Sequence, residues 1–146
     1  MIHPEWELDQ PEVVYPAPRR LSRAVPPALR GGWDEARVCF DARAYTACLV
    51  MVRRTLEGTC QFLGVKRNTT LARGLKELKQ RDLIDGTLAD WADALRIVGN
   101  RGAHFAEEAV SREDAEDALG FAEAFLDHIY VQRKRFEEFK KRISGT

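Results

Sequence analysis

Apolar residues recur every three or four positions through most of the chain, the spacing that puts them on one side of an α-helix. The pattern is clearest over residues 43–63, which we predict to be a helix. Its apolar positions are Tyr45, Cys48, Leu49, Val52, Leu56, Thr59, Phe62 and Leu63. No segment of strand length alternates between apolar and polar residues. The pattern therefore predicts an all-α protein with no sheet.

The same spacing predicts further helices over residues 27–41 and 70–80, and two more beyond Gly86. Capping-box sequences at Thr87–Asp90 and Ser111–Asp114 predict where those last two helices begin. A final helix over 112–142 would be about 45 Å long, which is more than a four-helix core needs. We therefore expect its last two turns to extend past the core.

All six prolines lie within residues 4–27. They predict an irregular, proline-rich arm over residues 1–26, followed by an up-and-down bundle of four to five helices over 27–146. We expect apolar residues of the arm to pack along the helices, namely Trp6, Val13, Val14, Tyr15 and Leu21. Trp33 and Trp91 are predicted to lie in the core of the bundle.

The chain has 23 basic and 23 acidic residues. This balance excludes a strong electrostatic attraction of the whole chain to nucleic acid or membrane. No apolar run is long enough to span a bilayer and the N-terminus does not resemble a secretory signal, so a cytoplasmic protein is expected. The three cysteines lack C-x-x-C spacing and no two histidines have metal-ligand spacing. Buried free thiols, with no metal and no cofactor, are therefore predicted.

The stretch Arg96–His104 is the one place where polar chemistry interrupts the apolar helical pattern. On a helix, Arg96, Asn100 and His104 fall at i, i+4 and i+8 and share a face. Histidine titrates near neutral pH, and arginine suits phosphate oxygens. One interpretation is a phosphate-handling site. The other is a structural polar cluster that ties a turn over residues 99–104 to a neighbouring helix.

The chain contains the segment Glu35–Glu57, then the segment Leu95–His104, then an acidic capped helix. In this order, they resemble a bacterial family of uncharacterised helical domains within the HEPN superfamily. Members occur alone and fused to restriction-type enzymes. The resemblance covers about residues 27–131 and implies an HEPN-like bundle that pairs as a homodimer. Many HEPN domains are metal-independent ribonucleases of toxin and antiviral systems.

The catalytic motif of HEPN ribonucleases is an arginine, often with a polar residue after it, and a histidine a few positions later. The resemblance therefore implies Arg96, Asn100 and His104 as catalytic residues, with Arg101 binding phosphate. The spacing here is different, because seven residues separate Arg96 from His104 and only two separate Arg101 from it. In such enzymes the motifs of two protomers meet in one cleft.

Arg53, Arg54 and Glu57 on the second helix are predicted supporting residues. A solvated i, i+4 pair is the simpler interpretation. Within the resemblance, the two arginines face the motif helix and Glu57 holds Arg96 or Arg101 in place.

The tail Arg133–Arg142 holds six basic and two acidic residues, with Phe136 and Phe139 between them. It is either a solvated helix end or a surface for a protein partner or a nucleic-acid backbone. The expected function is RNA binding or cleavage in bacterial defence or toxin control. The alternative is a non-catalytic module for dimerisation or protein interaction, in which the Arg-Asn-His cluster is structural.

Overall fold

The computed structural model describes residues 20–103 and 109–145. Within those ranges all regular secondary structure is helical, which confirms the predicted all-α helical bundle. The elements are α1 (Pro27–Asp41), α2 (Tyr45–Phe62), α3 (Leu71–Gln80), α4 (Gly86–Ala103), α5 (Arg112–Asp127), a π-helical segment (His128–Gln132) and α6 (Arg133–Ser144). No described helix is both long enough and apolar enough to cross a membrane.

Helix α2 is the centre of the bundle, because it packs against α1, α3, α4 and α5. Its buried residues are Cys48, Leu49, Val52, Thr55, Leu56, Thr59 and Cys60. The two threonines are buried without loss of hydrogen bonding. The hydroxyls of Thr55 and Thr59 donate to the carbonyl oxygens of Met51 and Thr55, each over 2.8 Å. An unpaired hydroxyl in this position would destabilise the core.

Helix α1 lies unusually close to α2. A Cβ atom built on Gly32 would lie 2.5 Å from the hydroxyl oxygen of Thr55, so only glycine fits at this contact. Trp33, the next residue, is fully buried and its indole nitrogen donates to the carbonyl oxygen of Leu119 over 3.1 Å. The predicted core position of Trp33 is thus confirmed, and the indole joins α1 to α5.

Two details of α4 differ from the sequence-based expectation. The helix begins at Gly86, where the Asp85 carboxylate accepts a hydrogen bond from the Leu88 backbone N–H over 2.8 Å. The predicted capping box at Thr87 is therefore wrong, because Asp85 occupies the capping position two residues earlier. Trp91 was predicted to be core but is 42% exposed, with its ring packed on that of Phe121 at 4.8 Å between centroids. Fully buried Ala92 faces the core instead.

Residues 112–144 form one continuous helical stretch, which we call the terminal run. It begins with the predicted capping box: the Ser111 hydroxyl accepts from the Asp114 N–H over 3.0 Å, and the Asp114 carboxylate accepts from the Ser111 N–H over 3.3 Å. No residue of α6 is buried, and α6 contacts no described element except the π segment. The prediction that the last turns extend past the core is confirmed.

The proline-rich arm is described only from Arg20 onward. Leu21 is half-buried against the core and Val25 is buried beside Leu29 and Leu126, as expected of an arm that packs along the helices. The remaining apolar residues of the arm, Trp6, Val13, Val14 and Tyr15, lie outside the described residues.

Candidate functional site

The described part of the predicted motif, Arg96 and Asn100, lies in the C-terminal half of α4. This helix runs to Ala103, so Arg96, Asn100 and Arg101 all lie on helical backbone, and Arg96 and Asn100 are one turn apart. The expected turn over residues 99–104 is absent at 99–103, because the helix continues through both of its late glycines. His104 lies outside the described residues.

The packing of α4 determines what surrounds the motif. Just before it, Ala92 is fully buried and Leu95 is half-buried against the main core. Leu95 also borders a gap of about 10 Å³ where α2 meets α3, α4 and α5, and Arg53 lines this gap together with Val52 and Leu56. Arg53 therefore lines the same gap as Leu95, the residue that precedes Arg96.

An ion pair orients the Arg53 side chain. Its Nε donates to the Glu57 carboxylate over 3.0 Å, one helical turn further on, while both side chains keep partial exposure to solvent. This is the i, i+4 pair that the simpler interpretation predicts. Arg54 is exposed, so the two neighbouring arginines have different surroundings. The contact of Glu57 with Arg96 or Arg101 that the resemblance implies stays a prediction.

A second group of cationic and aromatic residues surrounds the beginning of α2. An open cleft of about 490 Å³ is lined by Arg43, Tyr45, Thr46 and Val110, together with two alanines. Arg43 has a positive φ of 62°, which is strained for a residue with a Cβ. The first turn of α2 receives no side-chain cap, so its backbone N–H groups give this end a partial positive charge.

Aromatic rings extend this group towards α5. The rings of Phe40 and Tyr45 lie 5.7 Å apart, and the Arg112 guanidinium lies over the Phe40 ring at 5.5 Å. Neither Arg43 nor Arg112 was among the predicted site residues. Arg43 lies in the short connection between two predicted helices and Arg112 directly follows a predicted cap. Nothing in the sequence at either position indicates that the two residues lie on one side of the bundle.

The described residues offer no site for a metal ion, since no group of three or more His, Cys, Asp or Glu side chains among them is placed to hold one. The thiols of Cys48 and Cys60 are buried and free, and burial raises the pKa of each to about 12. They therefore stay protonated near neutral pH and are poor nucleophiles. Cys39 is free and half-buried.

Comparison with known proteins assigns the chain to a family. The model of a family described as a domain of unknown function (DUF4145) matches residues 34–142, from the middle of α1 to near the end of α6. No curated protein and no solved structure matches the chain. The matched range contains most of the chain, including the motif on α4 and the charged groups at Arg53 and at the beginning of α2. The chain therefore belongs to the DUF4145 family.

Proposed function

We propose that this protein is an HEPN-like module that acts on RNA in the cytoplasm, as a metal-independent ribonuclease of bacterial defence or toxin control. The proposed catalytic residues are Arg96, Asn100 and His104, with Arg101 as a further phosphate ligand. The observation that carries the proposal is the position of Arg53, whose guanidinium is held by Glu57 and which lines the same gap as Leu95, the residue next to Arg96.

This position supports a phosphate site because it brings a cation from a second helix close to the motif. Arg53 lines the same gap as Leu95, which directly precedes Arg96. The bond to Glu57 restricts the Arg53 side chain before any ligand arrives, which lowers the entropy lost on binding. Arg53 still has about a third of its side chain exposed, so a phosphate has access to it.

The proposed chemistry requires no metal. The 2′-hydroxyl of a ribose attacks the adjacent phosphorus, the bond to the 5′-oxygen breaks, and the products carry a 2′,3′-cyclic phosphate and a 5′-hydroxyl. His104 takes the proton from the attacking hydroxyl or supplies one to the departing oxygen, which suits a group that titrates near neutral pH. Arg96 and Arg101 stabilise the charge that develops on the phosphoryl oxygens, and Asn100 orients the phosphate.

The group at the beginning of α2 supports RNA as the substrate. Arg43 and Arg112 supply guanidiniums for the phosphate backbone, and the Phe40 and Tyr45 rings supply faces on which bases stack. Val110 of the same cleft lies six residues beyond His104 in the sequence. We propose that a bound RNA strand extends from the motif into this cleft.

The resemblance to HEPN enzymes also implies a homodimer in which the motifs of two copies meet. A second candidate function is a non-catalytic module for dimerisation or protein interaction, with the Arg-Asn-His cluster in a structural role. The exposed aromatic residues of α6 favour this alternative, because large apolar side chains on a projecting helix are typical of interaction surfaces.

The test of catalysis is cleavage of RNA by the purified protein in the presence of EDTA, with analysis of the ends. Cyclic-phosphate ends are expected, and His104→Ala should abolish cleavage while it changes the free energy of unfolding by less than about 1 kcal/mol. His128→Ala, which removes a half-buried histidine of the π segment, is the matched control and should keep the activity. If the wild-type protein cleaves no RNA and His104→Ala costs about 1–3 kcal/mol, the structural role is correct.

The role of Arg53 is tested through its partner. Glu57→Gln removes the charge that holds Arg53, so we expect RNA affinity to fall several-fold with the fold retained. The matched control is Glu77→Gln on α3, which weakens the equivalent i, i+4 pair between Glu77 and Arg81 away from the motif. Binding to a fluorescent single-stranded RNA measures both variants, and an equal effect of the two would contradict the assignment.

A further inference from the structure

The two helices of the terminal run carry opposite charge. Helix α5 contains six acidic residues and one basic residue, whereas α6 contains six basic residues and two acidic ones. Both helices belong to one continuous stretch, so the charges separate along its length. A rod of this kind attracts an identical rod that lies beside it in the antiparallel direction.

Helix α6 also presents large apolar side chains to solvent. Phe136, Phe139 and Ile143 are 58%, 48% and 57% exposed, and their spacing of three and four residues places them on one side of the helix. We call these three residues the apolar stripe. Lys140 lies 4.9 Å from the Phe136 ring and Arg142 lies 5.5 Å from the Phe139 ring, so cations border the apolar surface. Such a patch is typical of an interface.

A cleft of about 250 Å³ lies between the segment at residues 20–25 and α5. We call it the α5 cleft. It is large enough for an aromatic side chain, and a Cβ built on Gly120 would meet no atom within 4 Å, so the helix surface is open there. Arg20 and Ser22 also line the cleft. Its other lining residues combine small and apolar groups with two carboxylates: Leu21, Val25, Gly120, Ala124, Glu123 and Asp127.

The π segment aligns the apolar stripe with the α5 cleft. In an uninterrupted α-helix, Phe136 and Ile143 would come after buried Ile129 at seven-residue steps and continue the buried side of α5. The π segment adds about one residue to a turn and rotates the side chains of α6 by about 100°. Once the extra residue of the π segment is subtracted, Ala124 and Phe139 are separated by two heptads, so their side chains lie on about the same side of the terminal run. The stripe thus continues the exposed side of α5 that borders the cleft.

We propose that the terminal run is a self-complementary interface through which two copies of this chain pair in antiparallel orientation. The apolar stripe of each copy docks in the α5 cleft of the other, and the basic residues of α6 lie against the acidic residues of α5. The two-fold axis passes beside the π segment, about midway between cleft and stripe.

A second copy is the occupant that the charges favour, since cleft and stripe lie on the same side of one rod, two carboxylates line the cleft and cations border the stripe. This interface uses neither the motif on α4 nor RNA, so it does not rest on the proposed function. It is an alternative to the motif-to-motif pairing that the HEPN resemblance implies, and a dimer that survives changes in the stripe would favour that other pairing.

The first test measures the mass of the full chain by sedimentation equilibrium at about 1–200 µM. A dimer is expected, and the double variant Phe136→Asp/Phe139→Asp should raise its dissociation constant about tenfold or more. The variant should stay helical, because α6 contributes no buried residue to the bundle. Val38→Asp is the control, since Val38 is a 65% exposed apolar residue of α1 outside the interface, and it should leave the dimer intact.

Filling the cleft is a second test. Gly120→Arg places a bulky cation where the stripe of the partner copy docks, so the dissociation constant should rise by a similar factor. Gly31→Arg is the matched control, because a Cβ at Gly31 also meets no atom within 4 Å and the residue lies on α1. A dimer that tolerates Gly120→Arg as well as Gly31→Arg overturns the proposed docking site.

Charge reversal tests the antiparallel arrangement. One chain carries Lys140→Glu, Lys141→Glu and Arg142→Glu, and the other carries Glu123→Lys and Asp127→Lys, which reverse the two carboxylates that line the α5 cleft. Each chain alone should be monomeric, because both of its symmetric contacts become repulsive. An equimolar mixture should form a heterodimer, because both contacts become attractive again.

Three results would overturn the proposal. The first is a wild-type chain that stays monomeric at every concentration. The second is a dimer that persists in Phe136→Asp/Phe139→Asp. The third is a monomer whose binding to RNA or to anionic lipid vesicles is lost in that same variant, which would assign the stripe to another kind of partner.

Discussion

Helices α5 and α6 belong to one continuous run, yet they are stabilised in different ways. Helix α5 begins with a capping box and buries seven residues against α1, α2 and α4. Helix α6 buries none and has no side-chain cap at its beginning. Once α5 is formed, each further helical residue adds a hydrogen bond without a new nucleus, so α6 continues from α5. Helical periodicity alone therefore does not show which half of such a run belongs to the core.

The burial of apolar residues in the terminal run changes at the π segment. Up to Ile129 the run keeps its apolar residues on the buried side, and beyond Gln132 the large apolar residues are exposed. Helix α6 extends past the core, which exposes its side chains, and the extra residue in a turn rotates them by about a quarter turn relative to α5. Phe136 and Ile143 therefore do not continue the buried side of α5.

The largest expected difference between the halves is the cost of removing a phenylalanine. Phe121 of α5 is fully buried, with its ring 4.8 Å from Trp91 and 5.4 Å from Phe125. Phe121→Ala should lower the free energy of unfolding by about 3–5 kcal/mol. Phe136→Ala should change it by less than about 0.5 kcal/mol when measured by urea denaturation at a protein concentration too low for pairing. Equal costs would show that α6 packs on the bundle after all.

The stability of the core on which α5 packs can be tested without any substitution, by a change of pH. Burial raises the pKa of Cys48 and Cys60 on α2 from 9.0 to about 12 in the folded protein. Above pH 9 the unfolded chain releases these protons and the folded chain keeps them. The free energy of unfolding should therefore fall as pH rises, by up to about 1.4 kcal/mol per pH unit for each thiol.

Urea denaturation of the wild-type protein at pH 8.5, 9.25 and 10 measures this slope. Cys60→Ala serves as the control, because it should reduce the slope even though the cavity it creates lowers stability at every pH. An unchanged slope in Cys60→Ala would show that other groups cause the alkaline loss. The stripe on α6 should keep its exposure over the same range, since it contributes no buried group.

The sequence predicts those parts of the fold that depend on local rules. Helix α2 was expected over residues 43–63 and spans Tyr45–Phe62. The prediction was close because apolar residues recur regularly along one wide side of this helix. The capping box at Ser111 was found because side chain and backbone pair within four residues. The exposure of Trp91 was missed because it depends on how α4 is rotated against α5. The π segment was missed because no local residue pattern marks it.

The same distinction between local rules and packing applies to the candidate site. The helical position of Arg96 and Asn100 follows from periodicity, and the Arg53–Glu57 pair follows from i, i+4 spacing. That Arg53 lies beside Leu95 depends on the packing of α2 on α4, which local spacing does not specify. The approach of Arg112 to Phe40 is likewise a contact between distant segments.

The smallest expected difference between the halves concerns two serines. The Ser111 hydroxyl caps the run by accepting a hydrogen bond from the Asp114 N–H, whereas the Ser144 hydroxyl near its other end donates to the Lys140 carbonyl over 2.8 Å. Ser111→Ala leaves an N–H at the start of α5 without its partner and should cost about 1 kcal/mol. Ser144→Ala removes a bond to a carbonyl at an exposed, fraying end and should cost nothing measurable. Chemical denaturation at pH 7 measures both variants, and a Ser144→Ala cost as large as that of Ser111→Ala would contradict the view that α6 depends on α5 for its structure.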